Sequence, residues 1–238
     1  MINKYLILGR RNKDEGEKPF WISFADLMSA LMVMFLLVMS VALLAVTNDI
    51  SEADRNKAKR EQEIEQLLLK IEKAAENHPG IVVDKNRGVI DFGERARFET
   101  GSSLLSVDQA QYLSQFTAEI LGIAQEDIGK RWLKRIVAEG FADQRGDYLL
   151  NLNLSLQRSQ RVLCVLLSPA HHQAIKLSPA EQEQVRDLFL VGGYSFNSAK
   201  KTLEESRRIE LRLEFFGLDE LHPALNEIPR GNFGSCRI

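Results

Sequence analysis

Residues 19–46 read PFWISFADLMSALMVMFLLVMSVALLAV, and the class of the whole protein turns on them. Every side chain in the run is uncharged except one, Asp26. As a helix rising about 1.5 Å per residue, the run is roughly 40 Å long, enough to cross a bilayer with some tilt. Signal peptides have apolar cores of about 7–15 residues ahead of a small-residue cleavage site. This run is longer, so an uncleaved single-pass transmembrane α-helix is expected at residues 20–46. Phe20 and Trp21 stand where an interfacial aromatic belt would lie, just behind Lys18 and Pro19. Lys4, Arg10, Arg11, Lys13 and Lys18 precede the span and Arg55, Lys57, Lys59 and Arg60 follow it, so charge alone leaves the orientation open. A long C-terminal region can be translocated regardless of those charges. The expectation is therefore a cytoplasmic segment at 1–19 and everything beyond the span on the far side.

Asp26 lies about one and a half turns inside Trp21. A carboxylate at mid-membrane costs about 2.5–3.5 kcal/mol on insertion scales and somewhat less nearer the interface. Helical spacing brings Ala30, Val33, Leu37 and Ser40 near the same face, with Ser29 alongside, so its flank is lined by smaller or mildly polar groups that permit close helix contact. A lone helix cannot satisfy this carboxylate. A bundle of partner helices can, and there the group could take up and release a proton. On composition alone, an interfacial carboxylate without a role is the alternative.

The rest of the chain narrows the classes further. Its 238 residues carry 31 basic and 33 acidic side chains, a net charge of -2, which argues against direct nucleic-acid binding through bulk positive charge. Two cysteines, Cys164 and Cys236, make neither a metal cluster nor a disulfide framework. They are not expected to pair, because Cys164 falls on a helix face that should be buried. His78, His171, His172 and His222 are scattered, and the adjacent His171 and His172 cannot share one face of an element. No Walker loop, dinucleotide glycine fingerprint, HExxH or GxSxG occurs. No catalytic group, cofactor or metal is expected, and the chain does not read as an enzyme.

Residues 47–79 form a densely charged helical spacer that ends at His78-Pro79-Gly80. Ile64, Leu68, Ile71 and Ala75 recur along it at helical spacing. This narrow apolar seam suits pairing with a second copy, or it is simply one stripe of a solvated spacer. Beyond it, residues 80–216 alternate short β-type runs with helices. Ile81-Val82-Val83 and Gly88 to Phe92 flank the turn Lys85-Asn86-Arg87, and Ser106 to Gln109 is a capping box opening a helix through about Gln125. Arg135 to Phe141 is a strand, Leu149 to Leu167 a helix, Ser178-Pro179 the start of a smaller one, and Arg208 to Phe215 an alternating half-buried strand. This order implies one α+β domain with helices covering one face of the sheet. A tail follows at 217–238.

The segment GFADQRGDYLLNLNLSLQRSQRV (Gly140 to Val162), with SRRIEL (Ser206 to Leu211) after it, resembles the signature of OmpA-like peptidoglycan-binding domains. The resemblance covers residues 81–216. It implies that Asp143 and Arg158 hold the charged end of diaminopimelate in the peptidoglycan stem peptide, with Asn151 and Leu154 lining the same site. A carboxylate suits the ligand ammonium, and a guanidinium suits its carboxylate. Ala142, Leu150 and Ser206 depart from the residues usual there.

A single span with an internal aspartate, a spacer and an OmpA-like domain is similar to the MotB family of ion-driven stator subunits. The wording FWISFADLMSALM looks most like the MotB-like subunits of the Zorya anti-phage defence system. The resemblance implies a homodimer inside a ring of MotA-like polytopic subunits, five around two, in the bacterial inner membrane. Asp26 would be the proton-binding residue, the C-terminal domain would lie in the periplasm on peptidoglycan, and cytosolic defence effectors would be further partners. A flagellar stator or Tol/Exb-type energy transducer would share the ion chemistry. A passive tether between inner membrane and cell wall would not.

Overall fold

A computed structural model describes residues 20–168, 176–221, 231, 233–234 and 236. The N-terminal segment 1–19, His171, His172, His222 and most of the tail lie outside them. The chain divides into two compact units, Met1–Arg55 and Asn56–Ile238. In the first, helix α1, which runs Phe20–Ala75, presents the membrane stretch. Among the described residues this is one helix long and apolar enough to cross a membrane, and its apolar window is wholly unburied. Two hydroxyls there, and Thr47 just past it, bond to the helix itself: Ser29 Oγ donates to Ala25 O, Ser40 Oγ to Leu36 O and Thr47 Oγ1 to Leu43 O, at 2.7, 2.7 and 2.9 Å.

In the second unit the remainder of α1 packs onto an α+β domain. Leu67, Leu68, Ile71 and Ala75 are buried in its core, with Ile64 packed against them. The seam at Ile64, Leu68, Ile71 and Ala75 is thus covered by the chain's own domain and is not free for pairing. Polar contacts reinforce the docking. Arg60 Nε donates to Phe216 O at 2.8 Å, Glu63 accepts from Trp132 Nε1 at 2.6 Å and pairs with Arg131 at 2.9 Å, and Lys70 pairs with Glu126.

The domain's elements are β1 (Val82–Asp84), β2 (Val89–Asp91), α2 (Val107–Ala124), α3 (Asp127–Trp132), β3 (Leu133–Gly140), α4 (Tyr148–Leu167), α5 (Pro179–Leu188), β4 (Phe189–Gly193), α6 (Leu203–Ser206) and β5 (Ile209–Phe215). Local chemistry starts several of them. Ser106 with Gln109 and Ser178 with Glu181 form complete capping boxes at α2 and α5, each satisfying otherwise orphaned N–H groups. The sheet order is β1-β2-β5-β3-β4, antiparallel except for β3 with β4. Period-two alternation sends Ile136, Ala138, Ile209, Leu211 and Leu213 into the core beneath the helices. The intervening Glu139, Glu210 and Arg212 meet on the opposite face. This is the helix-covered α+β architecture expected of residues 80–216.

Two departures from expectation concern what was thought absent. Strand β4 and helices α3 and α6 were not foreseen. The cysteines also pair: a disulfide joins Cys164 to Cys236, with Cα atoms 5.8 Å apart across 72 residues of sequence. Cys164 is buried as expected, but burial does not bar pairing when the covering segment supplies the second thiol. The returning tail does so, and Gly231 N donates to Glu183 Oε1 of α5 at 2.7 Å.

Candidate functional site

The turn after β3 gathers the charged groups. Strand β3 ends at Gly140, where a Cβ would lie 1.9 Å from Ser155 O. Only glycine allows α4 to come this close, and that approach sets α4 beside the turn. Gly146, at φ +92°, closes the turn in a region that L side chains rarely adopt. Between them stands Asp143, which is 5% exposed.

Asp143 is held from three directions. Its Oδ1 accepts from the backbone N–H of Arg145 at 3.0 Å, and its Oδ2 accepts from Arg145 Nη2 at 2.7 Å and from Arg207 Nη1 at 3.1 Å. Burial pushes the carboxyl up, but the hydrogen bonds from Arg145 and Arg207 outweigh it and hold the group down at about 2. It is ionised at any physiological pH.

Arg158 of α4 is fully buried. Its Nε donates to Ser102 O at 2.9 Å, Nη1 to Phe141 O at 2.7 Å and Nη2 to Glu99 O at 3.2 Å, and its Cζ lies 4.9 Å from the centre of the Phe98 ring. Burial lowers its pKa to about 10, with Asp143 pulling the other way, so it stays charged at neutral pH. Asn151 is also buried and donates from Nδ2 to Arg145 O at 2.8 Å, fixing the turn. The fold therefore brings Asp143, Asn151 and Arg158 around one turn. Leu154 is half-buried on the same helix. Asp26 belongs to the other unit, exposed on α1, with no hydrogen-bond partner among the described residues. No group of three or more His, Cys, Asp or Glu among the described residues could hold a metal.

The chain is 44% identical over 220 residues to Zorya protein ZorB of Escherichia coli, covering 92% of this chain and 89% of that one. The chain belongs to the ZorB family. No family model matches it. Among solved structures it is similar to the cell wall anchor of the T6SS from Pseudomonas aeruginosa (18% identity, 63% of this chain, 97% of that chain, TM-score 0.39). It is also similar to the periplasmic domain of Helicobacter pylori MotB (17%, 55%, 78%, TM-score 0.37) and to the OmpA-like domain of FopA1 from Francisella tularensis (14%, 54%, 75%, TM-score 0.34).

In this ZorB-family chain, two arginines on Asp143 went unassigned from sequence. Arg207 sits in the quoted SRRIEL segment and Arg145 two residues beyond Asp143. The first was visible as a paired arginine ahead of a strand, but nothing local ties it to a carboxylate 64 residues away.

Proposed function

We propose that this chain is the peptidoglycan-anchored B subunit of a proton-driven inner-membrane rotary motor acting in anti-phage defence. Two copies sit within a ring of MotA-like polytopic subunits, five around two. Each Asp26 takes a proton from the periplasmic side and releases it to the cytoplasm. A charge crossing 100 mV supplies about 2.3 kcal/mol. Asp143, Arg158, Asn151 and Leu154 hold peptidoglycan, which keeps the dimer still while the ring turns.

The observation that carries this reading is the contrast within the span. Ser29 and Ser40 bond to the helix's own carbonyls, whereas Asp26 is exposed without a partner among the described residues. An unsatisfied carboxylate in hydrocarbon calls for surrounding helices, and such residues mark ion pathways. The Cys164–Cys236 disulfide supports a periplasmic domain, since such bonds persist in oxidising compartments.

Asp26→Asn tests it. In an intact defence operon, with membrane levels checked by blot, phage plating on the variant should rise to that of cells lacking the operon. Unchanged protection would make Asp26 incidental and leave a passive tether.

A further inference from the structure

Asp143 is bound by two guanidiniums of different character. Arg207 is nearly buried, and a second bond from its Nε to Phe98 O at 2.8 Å fixes it in place. Arg145 has a side chain 51% exposed, and its Nη2 reaches both Asp143 Oδ2 at 2.7 Å and Thr100 Oγ1 at 2.9 Å. With Arg207 on the inner side, a ligand ammonium must approach Asp143 from solvent, the side Arg145 already occupies.

We propose that Arg145 is a specificity-determining residue of this site: its guanidinium is a built-in competitor that a ligand displaces only by bringing a cation of its own to Asp143. The inference rests on the peptidoglycan-site reading above. The site then rejects wall fragments whose amine is absent or capped, and its affinity is set by the exchange of one cation for another. The turn does not depend on the Arg145 side chain. Arg145 N–H to Asp143 Oδ1, Asn151 Nδ2 to Arg145 O and the left-handed Gly146 hold its backbone, so the guanidinium can leave and the turn remain. A partly exposed ion pair is weak enough to be exchanged.

The test is calorimetric titration of the full-length protein in nanodiscs with a muramyl tripeptide ending in meso-diaminopimelate, each variant checked by thermal melting. Arg145→Ala should bind about two- to fivefold more tightly than wild type, the gain expected from removing a competing surface ion pair. Thr100→Val, which removes the second anchor of Arg145 but keeps its charge, should gain less. Asp143→Asn should not bind, and wild type should reject the tripeptide with its side-chain amine acetylated. Equal or weaker binding by Arg145→Ala, with Asp143→Asn still inactive, overturns the competitor role and leaves the peptidoglycan site standing. Binding of the acetylated tripeptide as tight as that of the free amine overturns the cation requirement. If wild type, Arg145→Ala and Asp143→Asn all leave the tripeptide unbound, the peptidoglycan reading itself fails, and this inference with it.

Discussion

Glu139 on β3 and Glu210 on β5 are register partners, and neither side chain has any solvent exposure. Like charges set side by side in a ladder repel, so this pair exists only because cations surround it. Arg212 grips Glu139 with two bonds at 2.6 and 2.9 Å, while Arg208 at 2.7 Å, Arg87 at 3.3 Å and Lys200 at 3.7 Å surround Glu210. Arg212→Met removes the bidentate partner and leaves a buried carboxylate uncompensated. The expected loss is about 3–5 kcal/mol, read by urea denaturation. A loss below about 1 kcal/mol would mean that the neighbouring cations reorganise to cover Glu139.

Asp143 imposes a pH signature on stability. Its carboxyl is held at about 2 in the fold against an ordinary 3.8, so folding favours the ionised form. The contribution, about 2 kcal/mol, is fully present above roughly pH 5 and is lost as pH falls through 2. Asp143→Asn does not titrate. The stability gap between wild type and this variant should therefore be open at pH 7 and close towards pH 2. A gap independent of pH would show that the charge is not what Arg145 and Arg207 hold.

The docked part of α1 predicts unequal costs on one helix. Ile71 is fully buried, whereas Leu69, two residues away, is 45% exposed. Ile71→Ala should cost about 2–5 kcal/mol by leaving a cavity, and Leu69→Ala under about 1 kcal/mol. Chemical denaturation of the two variants separates a docked helix from a free spacer, for which both costs would be small.

The sequence reading succeeded where the determinant was local. Ser106 with Gln109 announces α2, and the alternation from Arg208 to Phe215 announces β5, because caps and period-two patterns are properties of adjacent residues. It failed where the determinant lay elsewhere in space. FLVGG offers no alternation, yet Gly193 must lack a side chain because Leu156 and Ser155 atoms lie within 3 Å of where its Cβ would be. The apolar stripe at Ile64, Leu68 and Ile71 was legible as a face, but periodicity does not say what covers it. The same holds for Cys164, whose burial was foreseen and whose cover was not. At the candidate site, the motif supplied Asp143, Asn151 and Arg158. The cations that hold Asp143 came from a turn side chain folding back and from Arg207, in the link between α6 and β5 far along the chain.

The position of β5 has a mechanical meaning. Strands β1 and β2 follow directly on α1, and β3 ends at the turn bearing Asp143, yet β2 and β3 do not touch; each is bonded to β5 between them. The end of β1 nearest α1 and the end of β3 nearest the Asp143 turn lie in one row of the sheet, Val82 opposite Asp91, Asp91 opposite Glu210 and Glu210 opposite Glu139, so tension between α1 and that turn is carried across β5 at one end of its two ladders. The strand lies inside the ring closed by Cys164 and Cys236, C-terminal to both loaded points, so it bears that tension through its hydrogen-bonded neighbours and not along its own chain.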